Sequence, residues 1–363
     1  PGYTYHPGEI DKIQMWSSRG KPLTNTPAID SRYHYINHFD NFADLIALYN
    51  SNIGNREYEE DNIIGAIMAV WNDRFVYPEK NILIENAFYP LMLTFAESSW
   101  QGGRKKYFEQ QGTLLKEGTP EYPLFIDFEN RLLRHKQSIF KDLPFPYVRQ
   151  TNVKWRITDA FPNHGNLRQS FPPEKKLKNH YTYQGKTYHT REAIGAAIYL
   201  RHVWGEVIPS FYDNPKPNHT AYAYTWVWSP KKQTVGAWIS TQNYSRSEKD
   251  LPPPQGEWDY RKSKIMINDK EIQPPVWSNN HTILSNEIPL GNENFVVRPP
   301  IPVTLKKGWN KVVLKLPIGE FSTKEVRLQK WMFTCVFVTL DGMDEVKGLI
   351  YNPDKKINGK NEK

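Results

Sequence analysis

The sequence predicts two architectures in one chain. Parallel βα units occupy residues 1–105, and an antiparallel β-sandwich of jelly-roll type occupies residues 148–352. Three observations predict this. The first part alternates aliphatic strand-like runs with segments of helical period, the pattern of a parallel sheet covered by helices. The second part is a series of short alternating runs parted by turn clusters, the mark of antiparallel sheet. Between them, residues 106–147 hold one amphipathic segment and then Leu143-Pro-Phe-Pro-Tyr147, where proline forbids helix and stiffens the chain. Residues 353–363 form a lysine-rich tail, expected to be disordered.

The elements follow in order. Residues 12–16 read as a short strand or a loop edge, and residues 27–37 as a strand rich in aromatic and branched side chains. Phe39, Phe42, Leu45, Ile46 and Tyr49 recur at helical spacing, with Asp40 or Asn41 at the start. Asn62-Ile-Ile-Gly-Ala-Ile-Met-Ala-Val-Trp-Asn-Asp73 is a continuous apolar run, which predicts a strand buried on both faces. Pro78 suits the first turn of the next helix, whose stripe runs from Ile82 to Phe95 and which ends at Gly102-Gly103. A further helix over about 122–140 places Leu124, Phe128, Leu132 and Leu133 on one side. The sandwich strands are residues 153–157, 220–228, 235–239, 264–267, 311–316 and 332–340; residues 191–203 are its one helical candidate. Asn268-Asp269 and Lys307-Gly308 supply hairpin chemistry.

Composition narrows the function classes. Aromatics make 14% of the chain, which excludes a disordered protein and suits stacking surfaces. The net charge of +8 comes from scattered lysines and arginines; the Glu174-Lys-Lys-Leu-Lys178 cluster reads as solvated surface, so nucleic acid is not an expected partner. No apolar run reaches membrane-spanning length. Cys335 alone allows no disulfide within the chain and reads as a small buried hydrophobe. The chain starts at Pro1 with no secretory signal before it, which predicts a piece of a longer protein.

Residues two apart on a strand share a face. Tyr35 and Asn37 therefore point into one space at the end of the first long strand, as do Trp71 and Asp73 at the end of the next. An indole beside a carboxylate suits a sugar, whose apolar face lies on the ring while its hydroxyls donate to the oxygens. The alternative is structural: Trp71 closes the top of the sheet and Asp73 caps the following helix. Two such pairs at matching strand ends favour the pocket. His34 and His38 are four apart but lie across a strand end with no third ligand, so no metal and no cofactor are expected. Ser17-Ser18 and Ser98-Ser99 carry no nucleophile motif. Glu59-Glu60-Asp61 and Asp344-Glu345 read as solvated turns, not as a general acid for glycoside cleavage.

Three segments carry a resemblance. Ala28-Ile-Asp-Ser-Arg-Tyr-His-Tyr-Ile-Asn-His-Phe-Asp40 resembles the seventh strand of the (β/α)8 barrel of family-20 glycoside hydrolases, the β-N-acetylhexosaminidases of Bacteroidetes type. Gly65-Ala-Ile-Met-Ala-Val-Trp-Asn-Asp73 resembles the eighth, and Pro90 to Trp100 the helix after it. Residues 148–352, through Gly308-Trp-Asn-Lys-Val-Val-Leu-Lys-Leu316, are similar to galactose-binding-like jelly rolls appended to those enzymes.

The resemblance implies an exo-acting hydrolase of terminal N-acetylhexosamine, periplasmic or at the cell surface, with the acetamido oxygen as internal nucleophile. It implies that Tyr35 bonds the acetamido group, Trp71 lines the pocket, and Asp73 holds sugar hydroxyls in place of the family's glutamate. Asn37 stands where the family often has aspartate. The family's catalytic Asp-Glu pair has no match in this chain and is expected before Pro1, so the chain alone is expected to be inactive and to need its missing amino-terminal part. The alternative function is a non-catalytic carbohydrate-binding or scaffolding sandwich, with Trp226, Trp228, Trp238, Trp258 and Trp277 as its candidate surfaces.

Overall fold

The first part of the chain builds a small parallel sheet, and the second builds two antiparallel ones. The computed structural model describes residues 12–16, 26–32, 34–36, 39–55, 62–70, 82–102, 110–203, 208–241, 256–275, 300–322, 330–357 and 360–361.

Strands β1 (Ile13–Met15), β2 (Ala28–Asp30) and β3 (Ile63–Ala66) pair in parallel in that order, so residues 12–16 contribute a strand. Helix α1 (Ala43–Asn50) connects β2 to β3; α2 (Ile82–Glu85) and α3 (Phe88–Gln101) follow. Asp40 Oδ1 accepts the N–H groups of Phe42 and Ala43 at 2.8 and 2.7 Å, which opens α1 where the sequence predicts. All eight residues of α1 are buried. The helix expected beyond Pro78, itself outside the described residues, is broken at Ala87, whose φ of 44° is left-handed. Gly102, with φ 51°, ends α3 and donates its N–H to Ser98 O.

Strand β3 departs from its predicted burial. Ile64 is 47% exposed and Ile67 41% exposed, although the run reads as two-sided interior. The cause is position: among the described residues no strand pairs with β3 beyond β2.

Helix α4 (Glu121–Gln137) buries Phe125, Phe128, Leu132 and Leu133, and Phe128 stacks on Tyr49 at 4.8 Å. Leu124, expected in that stripe, is exposed, and Phe125 takes its place. The proline segment after α4 is extended but fully buried at Phe145 and Tyr147. Tyr147 packs on Phe42 and donates its hydroxyl to Glu129 Oε1 at 2.8 Å.

The remaining strands are β4 (Lys154–Thr158), β5 (Phe161–Pro162), β6 (His180–Tyr183), β7 (Lys186–Ile194), β8 (Ala197–Arg201), β9 (His219–Ser229), β10 (Gln233–Ser240) and β11 (Lys264–Ile267). After them come β12 (Lys270–Glu271), β13 (Ile301–Leu305), β14 (Gly308–Ile318), β15 (Trp331–Val338), β16 (Ile350–Tyr351), β17 (Lys356–Ile357) and β18 (Lys360–Asn361). One antiparallel sheet has the order β13-β10-β15-β8. The larger has the order β12-β11-β14-β9-β4-β7-β6, with β5 and β16 also paired to β9.

The two sheets pack face to face, as a β-sandwich requires. Trp155 of β4 meets Phe333 of β15 edge-on at 5.0 Å, and Trp331 Nε1 donates to Leu316 O across the gap. The outer face of the smaller sheet is covered in turn by α1, with Phe42 edge-on to Trp238 at 5.6 Å. Strand β15 is consequently buried at all eight residues. Cys335 lies within it, and burial pushes its thiol up to about 12, so it is the inert hydrophobe the sequence predicts.

Three expectations are corrected. Residues 191–203 are not helical: β7 ends at Ile194 and β8 begins at Ala197 in the other sheet. Gly195 makes that crossing at φ 142°, with its ideal Cβ position only 3.1 Å from Ala197 O. Lys307-Gly308 does not close a hairpin, because β13 pairs with β10 whereas β14 pairs with β11 and β9. Asn268 and Asp269 do close one, both with positive φ, between Ile267 and Lys270. The tail is structured over its described residues: β17 pairs with β18, Asp354 pairs with Arg156 at 3.0 Å, and Lys355 Nζ sits 3.6 Å over the Trp226 ring.

Candidate functional site

The predicted rim is partly in view. Tyr35 and Ala69 form a parallel bridge that continues the β2–β3 pairing, with Ala69 N donating to His34 O and Ile36 N to Ala69 O. The ends of these two chain segments therefore lie side by side, and Tyr35 stands there partly exposed. Asn37, Trp71 and Asp73 lie outside the described residues, as do His38, Trp277 and Glu59-Glu60-Asp61.

Below the rim, a buried ion pair braces the strand end. Asp30 Oδ1 accepts from Arg32 Nε at 2.8 Å, and Asp30 Oδ2 accepts Gly54 N–H at 2.7 Å. Gly54 has φ 64°, and a Cβ there would meet Ile63 Cγ2 at 2.7 Å, so the turn admits no larger residue. His34 packs edge-on against Phe95, and burial lowers its pKa to about 4, which keeps the ring neutral. Among the described residues no three His, Cys, Asp or Glu side chains gather as a metal set.

A second cluster joins α1 to the sandwich. Asp44 Oδ2 accepts the Tyr199 hydroxyl at 2.6 Å, and Asp44 Oδ1 lies 3.4 Å from His202 Nε2. Asp40 Oδ2 accepts the Thr334 hydroxyl at 3.0 Å. Burial opposes charge on Asp44, yet Lys330, His202 and Tyr199 together hold its carboxyl below the usual range. Burial, and then the charge of Asp44, push Asp40 up to about 6. A carboxyl raised by folding contributes its full stability below its unfolded pKa and loses it as pH climbs through the folded value. Asp40→Asn removes that loss. Its unfolding free energy relative to wild type should rise by about 2 kcal/mol from pH 4 to pH 7, allowing for screening at a partly exposed group. Urea titrations at the two pH values check this; a difference that stays constant refutes it.

The sandwich carries a third feature. A cleft of about 690 Å³ opens at one end of the larger sheet, walled by Phe171, Tyr181 and Tyr183 and by Lys175, Lys176 and Lys178. Its floor is an aromatic cluster apart from the main core, in which Phe161 stacks on Phe171 at 5.1 Å and on Tyr188 at 4.3 Å. Glu174 anchors the wall. It accepts the Tyr222 hydroxyl, Lys315 Nζ at 2.9 Å and the Ser170 hydroxyl at 3.1 Å. Burial works against its charge, but these donors keep its pKa below the ordinary value. Sequence reasoning missed this cleft by treating 174–178 as plain surface. The available signal was Tyr181 and Tyr183 at period two beside that lysine run.

Of the tryptophans singled out in the sandwich, Trp258 and Trp238 serve packing, whereas Trp226 and Trp228 are partly exposed. Trp258 is buried with Nε1 donating to Ile272 O, Trp238 lies under α1, and Trp228 meets Trp309 edge-on at 5.6 Å. No described helix is long and apolar enough to cross a membrane.

Comparison with known proteins adds little. No family model matches the chain, and no curated protein matches it. A solved structure described as a family 35 carbohydrate binding module from an environmental isolate aligns over 39% of this chain and 76% of its own, at 15% identity. The TM-score is 0.18, and nothing about fold or ligand follows from it.

Proposed function

We propose that the chain is the carboxy-terminal portion of an exo-β-N-acetylhexosaminidase, with Tyr35, Asn37, Trp71 and Asp73 as one wall of its sugar pocket. The observation that carries this is β3. An apolar strand suited to a two-sided interior leaves Ile64 and Ile67 about half exposed, and within the described residues its outer edge has no neighbour. Such an edge calls for further strands, and the preceding strands of a (β/α)8 barrel are the occupants that the family resemblance supplies. The bridge at Tyr35–Ala69 supports the same reading, since it sets neighbouring strand ends together, where such barrels gather their binding residues.

In this reading the acetamido oxygen of the substrate attacks the anomeric carbon, and an Asp-Glu pair from the preceding barrel strands orients it and protonates the leaving oxygen. Tyr35 holds the acetamido group, Trp71 stacks on the ring, and Asp73 accepts from the sugar hydroxyls. Asp73→Ala in the whole enzyme should lower kcat/KM on an aryl N-acetylglucosaminide by about 2–4 kcal/mol, on the order of 30- to 1,000-fold. Unchanged kcat/KM removes Asp73 from the pocket. The chain of 363 residues by itself should give no turnover.

A second reading, a scaffolding role for the sandwich, is favoured by the buried contacts of Asp44 in α1 with Tyr199 and His202. The two are compatible: the sandwich buttresses the barrel end.

A further inference from the structure

The cleft beside Glu174 gathers three lysines on one wall. Lys315 is matched by Glu174, and elsewhere on the sheet Lys264 pairs with Glu271, Lys311 with Asp269 and Arg156 with Asp354. Lys175, Lys176 and Lys178 are exposed at the cleft and, among the described residues, none of them has a carboxylate within ion-pair distance. The one carboxylate in the wall, Glu174, has its oxygens committed to Tyr222, Lys315 and Ser170. The field in the cleft is therefore positive and uncompensated.

The remaining wall is aromatic. Tyr183 is partly exposed and stands nearly perpendicular to Phe161 and Phe171, at 6.0 and 5.4 Å, so its orientation is fixed before any ligand arrives. Its hydroxyl accepts from Gln169 Nε2 at 3.1 Å, which further limits its motion. A rigid phenol suits the apolar face of a sugar ring, and Ser170 and Thr182 add hydroxyls at the edge. The volume of about 690 Å³ falls among ordinary small-ligand sites.

We propose that this cleft binds an anionic saccharide, a sugar ring bearing a carboxylate or a sulfate ester, with the three lysines on the anion and Tyr183 against the ring. The identification of the ligand as a sugar rests on the glycosidase reading; its charge rests on the cleft itself. The site gives the sandwich a glycan contact separate from the strand-end pocket, on a sheet that α1 does not cover.

Calorimetric titration of the 363-residue chain tests it, with glucuronic acid and N-acetylglucosamine 6-sulfate as probes, glucose and N-acetylglucosamine as neutral counterparts, and inorganic sulfate as the bare anion. At least one anionic sugar should bind ten times or more tightly than both its neutral counterpart and inorganic sulfate, and which one binds names the anion. Its affinity should fall about tenfold in the exposed triple variant Lys175→Ala, Lys176→Ala, Lys178→Ala and again in Tyr183→Ala, with circular dichroism unchanged. It should also weaken with added salt, as screening of an exposed site requires. Equal binding of neutral sugars, equal binding of inorganic sulfate, or full affinity in the triple variant overturns the proposal. None of those results bears on the strand-end pocket, which turnover by the Asp73→Ala enzyme decides.

Discussion

Truncating Trp155 to alanine should lower the unfolding free energy by about 4–5 kcal/mol, the upper range for deleting a buried aromatic. The indole is fully buried between the sheets, edge-on to Phe333, and its Nε1 donates to Gly195 O at 3.1 Å. Alanine leaves a void spanning both sheets, and it also strands the Gly195 carbonyl at the point where the chain crosses from β7 to β8. Trp155→Phe keeps much of the volume but not the donor, so it should lose about half as much. Urea denaturation followed by far-ultraviolet circular dichroism measures both. A loss below about 1.5 kcal/mol in the alanine variant would show that the two sheets are not held through this contact.

The second large effect is expected at Glu129. Its side chain is completely buried, yet it organises the proline segment: Oε1 accepts the Tyr147 hydroxyl at 2.8 Å and Gln150 N at 2.7 Å, and Oε2 accepts the Thr151 hydroxyl. Glu129→Ala leaves those donors facing an apolar surround, which should cost about 3–4 kcal/mol. Glu129→Gln retains one acceptor oxygen and should cost roughly half of that. Burial raises the Glu129 pKa. Its stabilisation is thus complete in acid and diminishes as pH rises through the folded value, so the gap between wild type and Glu129→Gln should narrow toward alkaline pH. Scanning calorimetry across that range decides it; a gap that widens with pH contradicts the assigned sign.

Much of the architecture was legible because local chemistry and tertiary demand agreed. Asn268-Asp269 tolerates the left-handed backbone of a two-residue turn, and the turn is there. Asp40 or Asn41 could be read as the helix opener from position, and Asp40 is the one that accepts the first N–H groups. Residues 191–203 misled for a definable reason. Ala193-Ile-Gly-Ala-Ala-Ile-Tyr-Leu200 is apolar without a period, because β8 has one face on the opposite sheet and the other under α1, and such a run looks alike for strand and helix. Leu143-Pro-Phe-Pro-Tyr147 gave its extended conformation but not its burial, which depends on partners in α1, α3 and α4 distant in sequence.

The site was legible only in part. Tyr35 was placed at a strand end by period-two reasoning and stands at the bridge to Ala69. The aromatic-lysine cleft escaped because its lysines read as solvated surface, although its lining residues all fall within 170–183. The buried partnership of Asp44 with Tyr199 and His202 spans more than 150 positions, and no local pattern announces it.

The double burial of β15 has a consequence for the chain's modularity. A detachable domain needs an outer surface that meets water. Here the sheet bearing Trp238, Tyr199 and Thr334 keeps its outer face against α1, which belongs to the parallel part of the chain. Cutting at the prolines would turn that face into exposed apolar surface and leave Asp44 without Tyr199 and His202. The sandwich and the end of the parallel layer are therefore expected to be stable only as one piece, and the seam in the sequence is not a seam in the molecule.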